Sequence, residues 1–187
     1  MKIYSYSNTA QFSQVTTELD KNILSLVDCL SAISIEVCNI ALQAGSLIED
    51  QSNGQLGVAS FSSIELTTSL LGLINRAKDR RDEIKSLVKS GVLLKFDIYS
   101  FAKETIDDSS ASIERNINTT AKYMDKDPSI KEAYYKSIKV MFEYRNIILS
   151  FNKSVVDYNG LHNTNLTGAS TSFSFFKMNK DLMFPNT

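Results

Sequence analysis

The residue types that most often carry acid–base or nucleophilic chemistry are scarce in this sequence of 187 residues. It has one histidine, His162, and two cysteines, Cys29 and Cys38. A Ser-His-Asp or Cys-His arrangement would have to use His162, which follows a predicted helix and has no other catalytic signature around it. A ferritin-type di-iron centre needs two Glu-x-x-His motifs, and a Cys/His zinc site needs more ligands than these. We therefore predict a protein that is not an enzyme and has no catalytic residue, no metal site and no cofactor-binding residue.

Two charged stretches have simpler interpretations than a reactive site. Glu104 and Asp108 lie one helical turn apart in an acidic patch that also holds Asp107 and Glu114. Such carboxylates could bind a metal ion or act as an acid/base pair, but no second patch accompanies them, and we interpret them as a solvated helix surface. The mixed run at residues 76–85 alternates in sign, which is typical of an exposed, salt-bridged helix face.

One pair of residues invites comparison with a known family. Arg145-Asn146 resembles the start of the Arg-x(4–6)-His motif of the HEPN ribonucleases, which are helical bundles. The resemblance covers these two residues, and Ser150, Phe151 and Asn152 stand where the motif has its histidine. It implies a degenerate HEPN-like helical nuclease without its general acid/base. We keep this as a further hypothesis, after the two functions given at the end of this section.

The overall charge argues against a nucleic-acid partner. Twenty basic and 21 acidic residues leave a net charge of −1, whereas nucleic-acid binders usually carry a basic excess.

The first residues contain one lysine and no continuous apolar stretch, so they do not resemble a cleavable signal peptide. We expect a cytoplasmic protein, and secretion without a cleavable signal is the alternative because the start is rich in Ser, Thr, Asn and Gln.

The element around which the rest is organised is a long apolar helix near the N-terminus. Its apolar residues recur in alternating steps of four and three, which predicts a heptad seam against neighbouring helices; they are Leu19, Ile23, Leu26, Leu30, Ile33, Val37, Ile40, Ala44 and Leu47. A second apolar stripe suggests burial on more than one side; it contains Leu24, Val27, Ile35, Cys38 and Leu42. Asp28 and Glu36 oppose a transmembrane span.

Breaks in the pattern predict four helices. Asn8 and Thr17 are candidate starts for the first helix, Ser90-Gly91 and Asn159-Gly160 are predicted helix ends, and Asp127-Pro128 is a predicted helix start. The predicted helices span roughly residues 9–50, 60–89, 92–126 and 128–158. Arg80 occupies a seam position, where we expect it to extend outward rather than pair with an acidic residue of the first helix.

These observations predict an all-α fold: an up-down antiparallel bundle of about four long helices over residues 1–160, followed by an irregular tail at 161–187. The tail contains an aromatic and methionine-rich cluster that could bind a partner as an added strand or short amphipathic segment. The candidate partner-binding residues are Phe173, Phe175, Phe176, Met183 and Phe184.

The leading functional hypothesis is a non-enzymatic bundle that acts by protein–protein interaction, in a bacterial or phage immunity, adaptor or secretion-associated role. The partner is another protein, with a second copy of the chain as an option because a heptad seam can also face another subunit. The alternative is a membrane-active helical toxin or translocator component that is soluble before insertion, motivated by the apolar first helix.

Overall fold

In the computed structural model of the chain, residues 17–54, 63–95 and 97–171 are described, with the side chains of 63–67 left out. These residues form four helices and no strand. The helices are α1 (Glu18–Ser52), α2 (Ser63–Lys89), α3 (Ile98–Ala121) and α4 (Pro128–His162). The predicted all-α fold is thus confirmed.

The helix starts follow local capping chemistry. Thr17 is the N-cap of α1 and forms a capping box with Asp20, so the second of the two candidate starts begins this helix. The predicted portion from residue 9 to 16 lies outside the described residues. Asp127 caps α4, with Pro128 in the first turn as expected. Asp97 caps α3 by accepting a hydrogen bond from the Ser100 N–H at 3.3 Å.

Three predicted helix boundaries are wrong by several residues. Gly91 makes the expected turn with a φ of 74°, but α3 begins only at Ile98 because an irregular connection intervenes. Helix α3 ends at Ala121 rather than 126. Helix α4 continues through Asn159-Gly160 to His162, and Asn163 ends it in the left-handed region with a φ of 52°.

The helices alternate in direction along the chain, but consecutive helices are not always neighbours. Helix α1 packs against both α2 and α3, α2 packs against α4, and α3 contacts α4 less closely. A 3.5 Å approach of the Ser31 and Ser109 hydroxyls joins α1 to the parallel α3. Helices joined by a short connection are typically antiparallel neighbours, but α2 and α3 lie across the bundle from each other.

The connection between α2 and α3 crosses the end of the bundle and is held there by buried groups. The Leu94 N–H donates to the Tyr158 hydroxyl at 3.1 Å. The Lys95 N–H donates to the Asp20 carboxylate at 3.3 and 3.4 Å, and Asp20 has no exposed surface. This carboxylate therefore both caps α1 and fixes the crossing connection.

The core confirms the predicted seam of α1, because all nine seam residues are buried. Helix α4 buries a stripe of similar spacing: Ile130, Tyr134, Met141, Tyr144, Ile148, Phe151, Val155 and Tyr158. The second stripe of α1 behaves differently. Val27 is buried, but Ile35 and Leu42 are 61% and 66% exposed, because α2 and α3 cover only the seam side. Their predicted burial was wrong.

The exposure and protonation of several polar and reactive side chains are those expected of structural residues. Arg80 is exposed, as expected, and its guanidinium donates to Asn22 Oδ1 at 3.1 Å. Cys29 and Cys38 are free thiols and partly exposed rather than fully buried. Burial raises the pKa of the Tyr99 and Tyr144 phenols above the usual range, so both remain protonated at neutral pH.

Candidate functional site: an extended segment bound between α3 and α4

Among the described residues, a row of polar side chains with specific hydrogen-bond partners lies on one flank of α4. Arg145, Asn152 and Asn159 are spaced seven residues apart, so they follow one edge of the helix with a rise of about 10 Å between successive members. This edge borders α3, the helix with which α4 packs less closely. We call these three residues, together with Asp107 of α3, the track.

After α4 ends, the chain turns at Asn163 and returns along the track as an extended segment. We call residues 164–171 the strap. The track residues contacted are Asn159, then Asn152, then Arg145 as the strap proceeds, so the strap runs antiparallel to α4. Three extended residues span about 10 Å, which matches one heptad of helix, and the strap therefore meets track residues in register.

The two asparagines bind the strap as a neighbouring β-strand would. Asn152 Nδ2 donates to the Ala169 carbonyl at 2.7 Å, and the Ala169 N–H donates to Asn152 Oδ1 at 2.8 Å. Asn159 makes the same pair of bonds with Leu166, both at 2.9 Å. Each amide thus satisfies both main-chain groups of one residue, at a net gain of about 0.5–1.5 kcal/mol per bond.

The other two track residues hold the end of the strap. The Ser170 N–H donates to Asp107 Oδ1 at 2.6 Å, while the second oxygen of Asp107 forms an ion pair with Lys103 at 2.7 Å. Arg145 Nε donates to the Thr171 carbonyl at 3.4 Å. Since Asp107 is on α3 and Arg145 on α4, the strap is bonded to both helices and closes the gap between them.

The strap needs small side chains at positions 168 and 169. A Cβ atom added to Gly168 would lie 2.6 Å from Asn152 Oδ1, so any other residue would displace this amide. Ala169 is buried within the main core cluster, and Leu166 packs against the same cluster while partly exposed. The fitted pattern is therefore leucine, any residue, glycine and alanine at positions 166–169.

The predicted partner-binding residues themselves, Phe173, Phe175, Phe176, Met183 and Phe184, lie outside the described residues. The structure places the last described residue before them, Thr171, beside Arg145. The flank next to the track also exposes apolar side chains, because Leu149 and Val156 on α4 are 42% and 67% exposed.

The residues that the sequence suggested for nuclease or acid/base chemistry contact other parts of the fold instead. Phe151, at one of the places where the nuclease motif has histidine, is buried in the core. Asn152 and Arg145 bind the strap, and Asp107 belongs to the track. Within the described ranges, no group of three or more His, Cys, Asp or Glu side chains could hold a metal ion.

Helix α1 has the length and apolar character that a membrane span requires, although much of it is buried within the bundle. A core helix of a soluble protein meets the same criteria, so this property has little weight without a further observation.

The chain matches no protein-family model, and it has no significant match among curated proteins or solved structures.

The track residues of α4 were not predicted as a binding site from the sequence. Their signal was present as three polar residues repeated at intervals of seven beside the α4 seam. That pattern is also what a solvated helix edge looks like, and nothing in it identified main-chain atoms as the binding partner.

Proposed function

We propose that this protein is a non-enzymatic helical bundle that binds another protein through its aromatic C-terminal segment. The observation that carries the proposal is the strap: polar side chains of two helices hold the chain in an extended form up to Thr171. The residues proposed to contact the partner follow directly: Phe173, Phe175, Phe176, Met183 and Phe184.

Because the strap is held on the bundle, the aromatic segment that follows it is well suited to bind a partner. A segment fixed at one end has less freedom to lose on association, so more of its contact energy contributes to affinity. Phenylalanine and methionine are enriched in the buried centres of protein interfaces. The exposed Leu149 and Val156 on α4 offer additional apolar surface on the same side of the bundle.

Site-specific photo-crosslinking tests the proposal. A photoreactive phenylalanine analogue at Phe175 should give a discrete crosslinked product in the native host, whereas the same analogue at Lys139, an exposed position of α4, should not. Replacing Phe173, Phe176 and Phe184 with serine should abolish the Phe175 product. Equal products from both positions, or none from Phe175, would contradict the proposal.

Removal of residues 173–187 provides an independent test. We expect the truncated chain to lose the crosslinked partner while its helical circular dichroism and melting temperature stay nearly unchanged, since the described core is built from residues 19–169. If truncation unfolds the bundle, the tail belongs to the core and the docking proposal fails.

The second candidate is a membrane-active helical protein, which the exposed Ile35 and Leu42 on the span-length helix α1 favour. Leakage of dye-filled anionic liposomes at neutral and acidic pH tests it. This candidate requires leakage at micromolar protein that is lost when both residues are replaced by serine. The absence of leakage at either pH would eliminate it.

A further inference from the structure

We infer that the track is a recognition site for an extended main chain of the pattern Leu-x-Gly-Ala, and that it accepts this segment from a second copy of the protein. Exchange of straps between two copies would then form a dimer in which each track binds its partner's strap. This inference does not rest on the aromatic segment binding another protein, because it concerns residues 164–171 alone.

The contacts of the track explain why a strap from another molecule fits. Six hydrogen bonds join the side chains of Asp107, Arg145, Asn152 and Asn159 to main-chain atoms of the strap, and a seventh runs from the Thr164 hydroxyl to Asn159 Oδ1. An identical segment from another copy offers the same donors and acceptors in the same order. It also supplies glycine where Asn152 leaves no room for a Cβ atom and alanine where the core has a small space.

The turn that joins the strap to α4 permits exchange because it is exposed. Asn163 ends α4 with a φ of 52°, a left-handed conformation that asparagine adopts more readily than most residues. Asn163, Thr164 and Asn165 are exposed, and within the strap only Ala169 is fully buried. Release of the strap therefore uncovers little apolar surface and does not require unfolding of the bundle.

Shortening the turn in the full chain tests the exchange. Deletion of residues 163–165 should prevent the strap from returning to its own track, while leaving it free to bind the track of another copy. We expect this variant to be a dimer by size-exclusion chromatography with light scattering. Adding Asn152→Ala should return it to a monomer, and the Asn163→Gly variant, whose turn keeps its full length, should be monomeric.

A peptide experiment tests the recognition pattern without shortening the turn. In full-length Gly168→Val protein the strap should leave its track, and a fluorescent peptide of residues 164–171 should bind with a saturable rise in anisotropy. Affinity should fall about tenfold or more for a peptide with Gly168→Val, or when the protein also carries Asn152→Ala. A monomeric deletion variant together with no peptide binding would overturn the inference.

Discussion

Asn152 makes two hydrogen bonds to Ala169 that depend on the asparagine side chain at this position of α4. Its amide offers one donor and one acceptor in a plane, which is the arrangement that a strand presents to its neighbour. Leucine or glutamate at this position would lack one or both, and a longer amide would displace Gly168. The chemistry of the track thus depends on the length of this side chain as much as on its polarity.

Replacing Asn152 with alanine should release the middle of the strap. We expect a loss of about 1–3 kcal/mol in the free energy of unfolding, because both main-chain groups of Ala169 lose their partner. Urea denaturation measures the loss, and faster amide exchange at Ala169 should accompany it. The matched control is Asn146→Ala on the exposed face of α4, which makes the same gain in helix propensity. Equal stability of the two variants would contradict the assigned contacts.

Asp20 shows how a single buried carboxylate can hold two parts of the chain. It accepts the Thr17 N–H at 2.8 Å and the more distant N–H of Lys95. Asp20→Ala should destabilise the protein by about 2–3 kcal/mol, because the N-cap of α1 is disrupted and two main-chain N–H groups lose their buried acceptor. Glu18→Ala is the control: it removes an acid from the same helical turn, but one that is exposed and paired with Lys21. We expect it to cost under about 1 kcal/mol in the same urea titration.

Capping residues define the starts of α1, α3 and α4. Helix α4 begins at Pro128 after the Asp127 cap. Its other end differs from the sequence expectation: Asn159-Gly160 has the composition of a helix end, yet the helix continues to His162. The Asn159 side chain binds Leu166 of the returning strap, and this contact outweighs the local propensity to end the helix.

Because of the Asp127 cap of α4, the free energy of unfolding should decrease as the pH falls in the acidic range. Hydrogen bonds from the Ser129 hydroxyl and N–H hold the pKa of Asp127 below its usual value. A depressed pKa in the folded state adds stability above the pKa of the unfolded chain, and that stability is lost as the pH falls through the folded value, here below about pH 4.

Substitutions at Asp127 separate the cap from its charge. Asp127→Asn keeps a capping oxygen and should lose less stability than the native protein between pH 7 and pH 3. Asp127→Ala should cost about 1 kcal/mol already at pH 7 because it lacks any cap. Urea midpoints at both pH values provide the measurement. A native-like pH dependence in the Asn variant would show that other carboxylates control the acid response.

The bundle as a whole is organised around α1, with α2 and α3 on either side and α4 completing the core. This arrangement follows from the connection held by Asp20 and Tyr158, which crosses the end of the bundle and brings α3 beside α1 in parallel. Helices α3 and α4 remain less closely packed, and the strap occupies the resulting gap. The binding feature of the molecule is therefore a product of the helix order.

An engineered disulfide can test the parallel pairing of α1 and α3. The Ser31 and Ser109 hydroxyls lie 3.5 Å apart, so a Ser31→Cys/Ser109→Cys pair should oxidise readily in a background with Cys29→Ser and Cys38→Ser. Closing this long loop should stabilise the protein by about 2–4 kcal/mol. Mass spectrometry and non-reducing electrophoresis detect the bond. Ser31→Cys/Ser86→Cys, with an exposed partner on α2, should stay reduced, and the reverse result would refute this helix order.

Apolar periodicity was enough to predict the helices and the buried seam of α1. Residue type predicted the N-cap at Asp127 and offered Thr17, beside Asn8, as a start of the first helix. These features depend on residues within a few turns of one another. Periodicity could not predict that Ile35 and Leu42 remain exposed, since that depends on how many neighbours α1 acquires. Nor could it identify Arg145, Asn152 and Asn159 as binding residues. Their partners are main-chain atoms, which every residue carries, and the chain must first turn back at Asn163 before those atoms reach α4.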